Sequence, residues 1–283
     1  MCAGVSTFPF MNVGVKLLAP HYPAAQITWA RFTGHLIVML VVFLPQYRWA
    51  LLRTRKPAVQ IGRSVLMLAS NLVFVMAIGS VPLATASAIG FTSPLIVTAL
   101  SVPLLREQVG WRRWSAVAVG FVGVIVMLDP LGISFHAMSL IVLAATFCYS
   151  LSTVMVRMTS RYDHDAATLF WFALVSSVLS LVAGAPEWIW PTAIDWVWLI
   201  LLGSLGGIAQ VLVTRAWRLA PASVLAPFDY ASIVLAVLYG YLWFHEEPSW
   251  TVWLGLPLVI GSGLYILHRE RVRGSQRAMA ALP

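Results

Sequence analysis

Arg31 and Asp229 stand inside long apolar runs, where a charge costs about 2.5–3.5 kcal/mol even on the lenient insertion scales. Such a group must face a cavity or a partner. Arg31 lies about eight residues into a run that opens near residue 23, and Asp229 about eight into one that opens near residue 221. At 1.5 Å per helical residue each is roughly 12 Å deep. Entering a core about 30 Å thick from opposite faces, their backbones would differ in depth by about 6 Å. An arginine side chain spans that distance. The two therefore form an ion pair between helices or meet a zwitterionic ligand together, unless Arg31 snorkels to its own interface.

The other polar residues at depth are weaker signals. Lys16 follows Asn12 by one turn on the same helical face, and either snorkels to the headgroups or reaches into a cavity. Asn71 and Gln210 are neutral amides in apolar runs, suited to interhelical hydrogen bonding or to a ligand. Tyr149, Phe147 and Tyr230 offer aromatic surface near mid-membrane. Gly203 and Gly207 have the spacing for close helix contact, expected within the chain more than at a dimer seam. The cluster Asp163, His164, Asp165 has metal-ligand composition but no fourth ligand, and reads as a solvated turn. Cys2 and Cys148 form no CxxC spacing, so neither a disulfide framework nor a zinc site is expected. No metal or cofactor is expected. Catalysis at depth needs Ser with His, paired Asp or HExxH. Asp229 is the lone carboxylate well inside a run and His35 the lone mid-run histidine, so an enzyme is the weaker alternative.

The elements that hold these residues follow from composition. The 283-residue chain is 60% hydrophobic and 10% charged, with mean hydropathy +0.86. Soluble domains carry about 25% charged residues, so most of this surface faces lipid. A span needs about 20 apolar residues. Runs of that kind fall near 3–20, 23–45, 63–81, 83–105 and 111–129, then 135–158, 166–184, 194–214, 221–244 and 250–268. They are apolar all round, which excludes the alternation of a membrane barrel. The expected fold is an all-α membrane protein of ten transmembrane helices. The N-terminus opens directly into apolar sequence without a basic n-region, and reads as a short first helix with its start site open.

The net charge of +8 lies in the gaps between runs, not in a basic stripe, which argues against a nucleic-acid partner. With the N-terminus cytoplasmic, 16 of the 18 Lys and Arg residues fall on one side, leaving Lys16 and Arg31 inside spans. The opposite gaps hold Asp129, Glu187, Asp195, Glu246 and Glu247 with several Trp. The positive-inside rule then places both termini in the cytoplasm of a multi-pass bacterial inner-membrane protein. The thirteen Trp lie mostly near span ends, as an interfacial belt requires.

Sliding the chain by 139 residues sets Pro82 on Pro221, Ser93 on Ser232, Glu107 on Glu246, Trp111 on Trp250, Trp114 on Trp253 and Leu128 on Leu267. Two five-span units, 1–130 and 135–270, with a basic tail at 271–283, are expected. An odd number of spans per unit forces opposite insertion. Inverted repeats of this kind recur in secondary transporters, with the substrate site near the midplane between the halves.

The segments "WARFTGHLIVML", "PLATASAIGFTSPLIVTALSVPLLREQVGWRRW", "RLAPASVLAPFDYASIVLAVLYGYLWFHEEPSW" and "GSGLYIL" resemble the drug/metabolite transporter superfamily, in particular its EamA-type members, over nearly the whole chain. The resemblance implies ten helices around a central cavity lined by the first four of each half, with the fifth and tenth peripheral. It implies secondary transport without ATP hydrolysis, and no GxxxxGK[ST] occurs. Carried onto this chain, Asn12, Lys16, Arg31, Asn71, Ser93, Tyr149, Gln210, Asp229 and Tyr230 sit on cavity-forming helices as candidate substrate contacts. Members export amino acids, drugs and metallophores, and others import riboflavin or S-adenosylmethionine. Export of an amino-acid-like, zwitterionic or aromatic metabolite is expected, with proton coupling open, as a monomer or weak homodimer. Import of a vitamin or nucleoside-like compound is the first alternative. A membrane enzyme or partner subunit is the second.

Overall fold

The computed structural model describes residues 2–106, 110–128, 137–159, 163–219 and 222–280. Within these, the side chains of Cys2, Val5, Trp49, Ala50, Arg113, Thr159, Asp165, Leu267 and residues 217–219, 222–231 and 269–280 lie outside the description. The described residues form eleven α-helices: α1 (Cys2–Leu18), α2 (Ala24–Tyr47), α3 (Pro57–Ile78), α4 (Leu83–Gly90), α5 (Ser93–Leu105), α6 (Trp111–Leu128), α7 (Ala137–Thr159), α8 (Asp165–Gly184), α9 (Ala193–Leu219), α10 (Ala222–Phe244) and α11 (Trp250–Ala280). Among them, six segments are long and apolar enough to cross a membrane: Ala24–Tyr47, Pro57–Ile78, Leu83–Leu105, Ala137–Met158, Ala166–Glu187 and Ala193–Ala216. Shorter apolar stretches cover Trp114–Leu128, Ser232–Phe244 and Trp250–Ile266. Mid-helix side chains such as Val41, Val122, Ile125, Val182, Ile200 and Val234 are exposed, a surface that lipid covers.

Three boundaries depart most from the sequence reading. Helix α3 opens at Pro57, six residues before the expected start at 63. Proline has no N–H to lose at the first helical turn, and its φ is already helical. Arg63 therefore lies inside α3 and not in the preceding gap. The span expected over 83–105 is two helices, parted at Phe91 and Thr92. Pro94 cannot donate to the carbonyl of Gly90 and its ring crowds that turn; Thr92 Oγ1 instead donates to the Ile89 carbonyl at 2.7 Å. Helix α11 runs beyond the expected end at 268, to Ala280.

Packing joins distant segments. α2 lies against α8 and α9, α3 against α7 and α8, α1 against α9 and α10, and α6 against α11. Glycine sets the closest approaches. A Cβ on Gly34 of α2 would stand 2.5 Å from the Cα of Gly203 in α9, and one on Gly203 would stand 2.6 Å from the Ala30 carbonyl. Gly207 meets Val38 and the His35 backbone, so the spacing at Gly203 and Gly207 works within the chain. A Cβ on Gly255 of α11 would likewise stand 2.4 Å from the Gly123 carbonyl of α6. Lipid competes as well as leucine for apolar contact, so close backbone approach is what holds helices together in a bilayer.

Candidate functional site

At one end of the helices, Lys16 near the close of α1 is 8% exposed and paired with Glu246 from the α10–α11 loop. Lys16 Nζ donates to the Glu246 carboxylate and to the Val81 carbonyl, the latter at 2.7 Å. It also lies 5.2 Å from the centroid of the Phe244 ring. The second Glu246 oxygen accepts from the Leu83 N–H at 2.8 Å. Leu83 opens α4, where the N–H groups lack helical partners and the dipole favours negative charge. One ion pair thus ties α1, the α3–α4 turn, α4 and the α10–α11 loop. The lysine meets protein, not headgroups.

At the other end, Asp163 is not the solvated residue the sequence suggests. It is 9% exposed. Its carboxylate accepts from Thr54 Oγ1 at 2.6 Å, the Arg55 N–H at 3.0 Å and Gln60 Nε2 at 2.9 Å. Burial would raise this carboxyl, but those three donors more than offset it and hold its pKa below the usual range. A group depressed on folding contributes stability above its unfolded value of about 3.9, lost as pH falls through the lower folded value. Asp163→Asn should therefore lower the thermal midpoint at pH 7, with the gap to wild type narrowing below about pH 4. Thermal scans in detergent at pH 7 and pH 3.5 measure this; an equal deficit at both would refute it. No group of three or more metal-ligating side chains occurs among the described residues.

Between the ends runs a polar seam. Arg63, 4% exposed, donates through Nη2 to the Thr168 carbonyl at 2.6 Å and lies 5.7 Å from the Phe172 centroid. His35, 6% exposed, stands edge-on to the same ring at 6.0 Å, and Phe32 stands edge-on to it at 4.9 Å.

The nine candidates spread over seven helices. Asn12 is half-buried on α1, one turn from Lys16, and Gln210 is half-buried on α9, which packs on α1. Arg31 is half-buried on α2, 6.0 Å from the Phe32 ring. Asn71 on α3 donates to the Met67 carbonyl of its own helix at 3.2 Å. Ser93, the first residue of α5, accepts from Ser150 Oγ at 3.0 Å. It sits at the helix break, beside which a Cβ on Gly90 would meet nothing within 4 Å. Tyr149 on α7 is exposed. Asp229 and Tyr230 lie in α10 with their side chains outside the described residues. Lys16 pairs with Glu246 and Ser93 with Ser150, residues outside the candidate set.

Sequence reading missed Glu246 as a partner, and missed Arg63 and Asp163 as buried groups. Pro57, as a helix-start signal, would have moved Arg63 inside its span. Nothing local marks the other two.

Comparison with known proteins bears on this architecture directly. The EamA-like transporter family matches the chain twice, over residues 1–129 and 136–267. The chain is 28% identical over 266 residues to the S-adenosylmethionine uptake transporter of Rickettsia bellii, covering 94% of this chain and 91% of that protein. It is 30% identical over 275 residues to the riboflavin transporter of Rhizobium johnstonii, covering 96% and 90%. The pseudopaline exporter of Pseudomonas aeruginosa is 28% identical over 247 residues, 86% of each chain. A solved crystal structure shares the fold at a TM-score of 0.63, with 21% identity over 93% of this chain and 95% of the other. A multi-pass all-helical bundle, matched over most of its length by proteins that move small metabolites, is a small-metabolite transporter: the chain belongs to the EamA-like transporter family of the drug/metabolite transporter superfamily.

Proposed function

We propose that the protein moves a zwitterionic or heterocycle-bearing metabolite across the bacterial inner membrane by alternating access between two inverted five-helix units, with both termini cytoplasmic. The observation that carries this reading is the double family match, over 1–129 and 136–267, whose two copies are spaced close to the 139-residue internal offset. Within it, α4 and α5 together make the fourth span of the first unit, and the break at Phe91 and Thr92 is the kind of discontinuity that marks transporter binding sites. The pairing of α6 with α11 supports the expected peripheral place of the fifth and tenth spans.

Relatives named for S-adenosylmethionine uptake weigh toward import, and those named for riboflavin toward a flat heterocyclic cargo. Export is the second reading, supported by the pseudopaline exporter. Arg31 and Asp229 bind the charged ends of the cargo, or couple it to protons through the carboxylate.

The test is uptake into liposomes holding the purified protein, using S-adenosylmethionine, riboflavin and a panel of amino acids, with and without a proton gradient. Arg31→Ala and Asp229→Asn should each lower kcat/KM for the transported compound at least tenfold, as loss of a hydrogen bond to a charged group does. Unchanged kinetics in both variants would remove these two residues from the site.

A further inference from the structure

Buried polar atoms almost always find a partner. Among the described residues the exceptions are Thr28 Oγ1, His35 Nε2, Gln60 Oε1, Arg63 Nε, Trp171 Nε1 and Ser176 Oγ. All six lie on α2, α3 and α8, which pack on one another. Scattered packing defects would not gather on three helices of eleven.

The character of these atoms is as informative as their place. Arg63 Nε and Trp171 Nε1 can only donate, the two hydroxyls and the imidazole can donate, and Gln60 Oε1 alone can only accept. Arg63 is a permanent cation that its single carbonyl contact, at 2.6 Å, does not neutralise. Arg31 lies one turn before His35 on the same face of α2, adding a second arginine to the seam. The nearby described carboxylate, Asp163, is already occupied by Thr54, Gln60 and the Arg55 N–H. His35 and Arg63 both pack against the Phe172 ring, 6.0 and 5.7 Å from its centroid.

We propose that the seam between α2, α3 and α8 is an anion-recognition subsite, in which Arg63 and His35 hold a carboxylate or phosphate group of the cargo. A planar guanidinium with an unused N–H in a dry environment gives short charge-assisted bonds to such a group. The proposal rests on the transporter reading and deepens it, requiring that the cargo carry an anionic oxygen group.

Small anions test it without knowledge of the cargo. The purified full-length protein in detergent would be unfolded thermally in sodium acetate, sodium phosphate and sodium chloride at matched pH and ionic strength. Acetate or phosphate should raise the midpoint over chloride by about 2–4 °C at ten times its Kd, saturably. A larger effect of acetate assigns a carboxylate, and of phosphate a phosphoryl group. His35→Gln and Arg63→Gln should each raise the apparent Kd about tenfold or more, with Arg63→Lys intermediate. Identical wild-type midpoints in the three salts overturn the proposal, even if Arg63→Gln does not fold. So does a shift that survives unchanged in His35→Gln and Arg63→Lys. Transport of neutral riboflavin with no anion effect would sink the subsite and leave the transporter standing; an anion effect lost in His35→Gln and weakened in Arg63→Lys would support the subsite even where no panel compound is moved.

Discussion

Replacing Glu246 with leucine is expected to lower the unfolding free energy by about 3 kcal/mol, and Lys16→Met to do the same. The reason is desolvation. Lys16 and Glu246 keep 8% and 20% of their exposure, so either one left alone is a charge in a poorly solvated place. Breaking a buried pair by removing one partner costs about 3–5 kcal/mol; the low end applies because Glu246 is not fully dry. The glutamate has a second duty, accepting from the Leu83 N–H at the start of α4. Glu246→Gln keeps an acceptor for that N–H and should fall between wild type and Glu246→Leu. The double variant Lys16→Met with Glu246→Leu should cost clearly less than the sum of its parts, because no orphan charge remains. Denaturant unfolding in a fixed detergent reads all four. Single variants within about 0.5 kcal/mol of wild type, the range of an ordinary surface change, would show that the pair is incidental.

Gly34→Ala and Gly203→Ala should each destabilise the α2–α9 contact by about 1–3 kcal/mol, a large response to one methyl group. The geometry leaves no alternative to movement. A Cβ at either site would lie 2.5–2.6 Å from backbone atoms of the facing helix, and a backbone cannot turn aside as a flexible side chain can. The helices must separate. Separation also disturbs His35, whose Cα lies 3.2 Å from a Cβ built on Gly207, and so reaches the polar seam. Gly261→Ala in α11 is the matched control, since its Cβ would meet nothing within 4 Å. There the helix propensity of alanine should be neutral to stabilising by up to about 1 kcal/mol. Folded yield and thermal midpoint in detergent separate the two cases. Equal stability of Gly203→Ala and Gly261→Ala would mean that α2 and α9 do not approach as described.

The same contrast runs through the candidate site. The apolar runs near 23–45, 111–129, 166–184 and 221–244 are legible because hydropathy and helix length are local quantities, and the helices over them start and stop within a few residues of those limits. Pro94 and Pro57 carried readable signals for the break before α5 and the early start of α3, since proline acts on its own turn. The family, too, was legible in short motifs distributed along the chain.

Partner choice was not. Lys16 by itself fits snorkelling as well as burial, and what settles its place is a carboxylate 230 residues later, brought beside it by the packing of α1 against α10. Asp163 in isolation is an acid in a polar turn; Thr54, Arg55 and Gln60, more than a hundred residues earlier, make it a buried acceptor. Arg63 and His35 lie on different helices and become one feature only because both pack against Phe172 of α8. The sequence by itself determined where the chain meets lipid, because transfer of a side chain into the bilayer depends on its own chemistry and its near neighbours. Tertiary structure decided which polar groups are paired and which are left without a partner, because in a dry interior the energy of a charge depends on what lies within a few ångströms, not on its own identity.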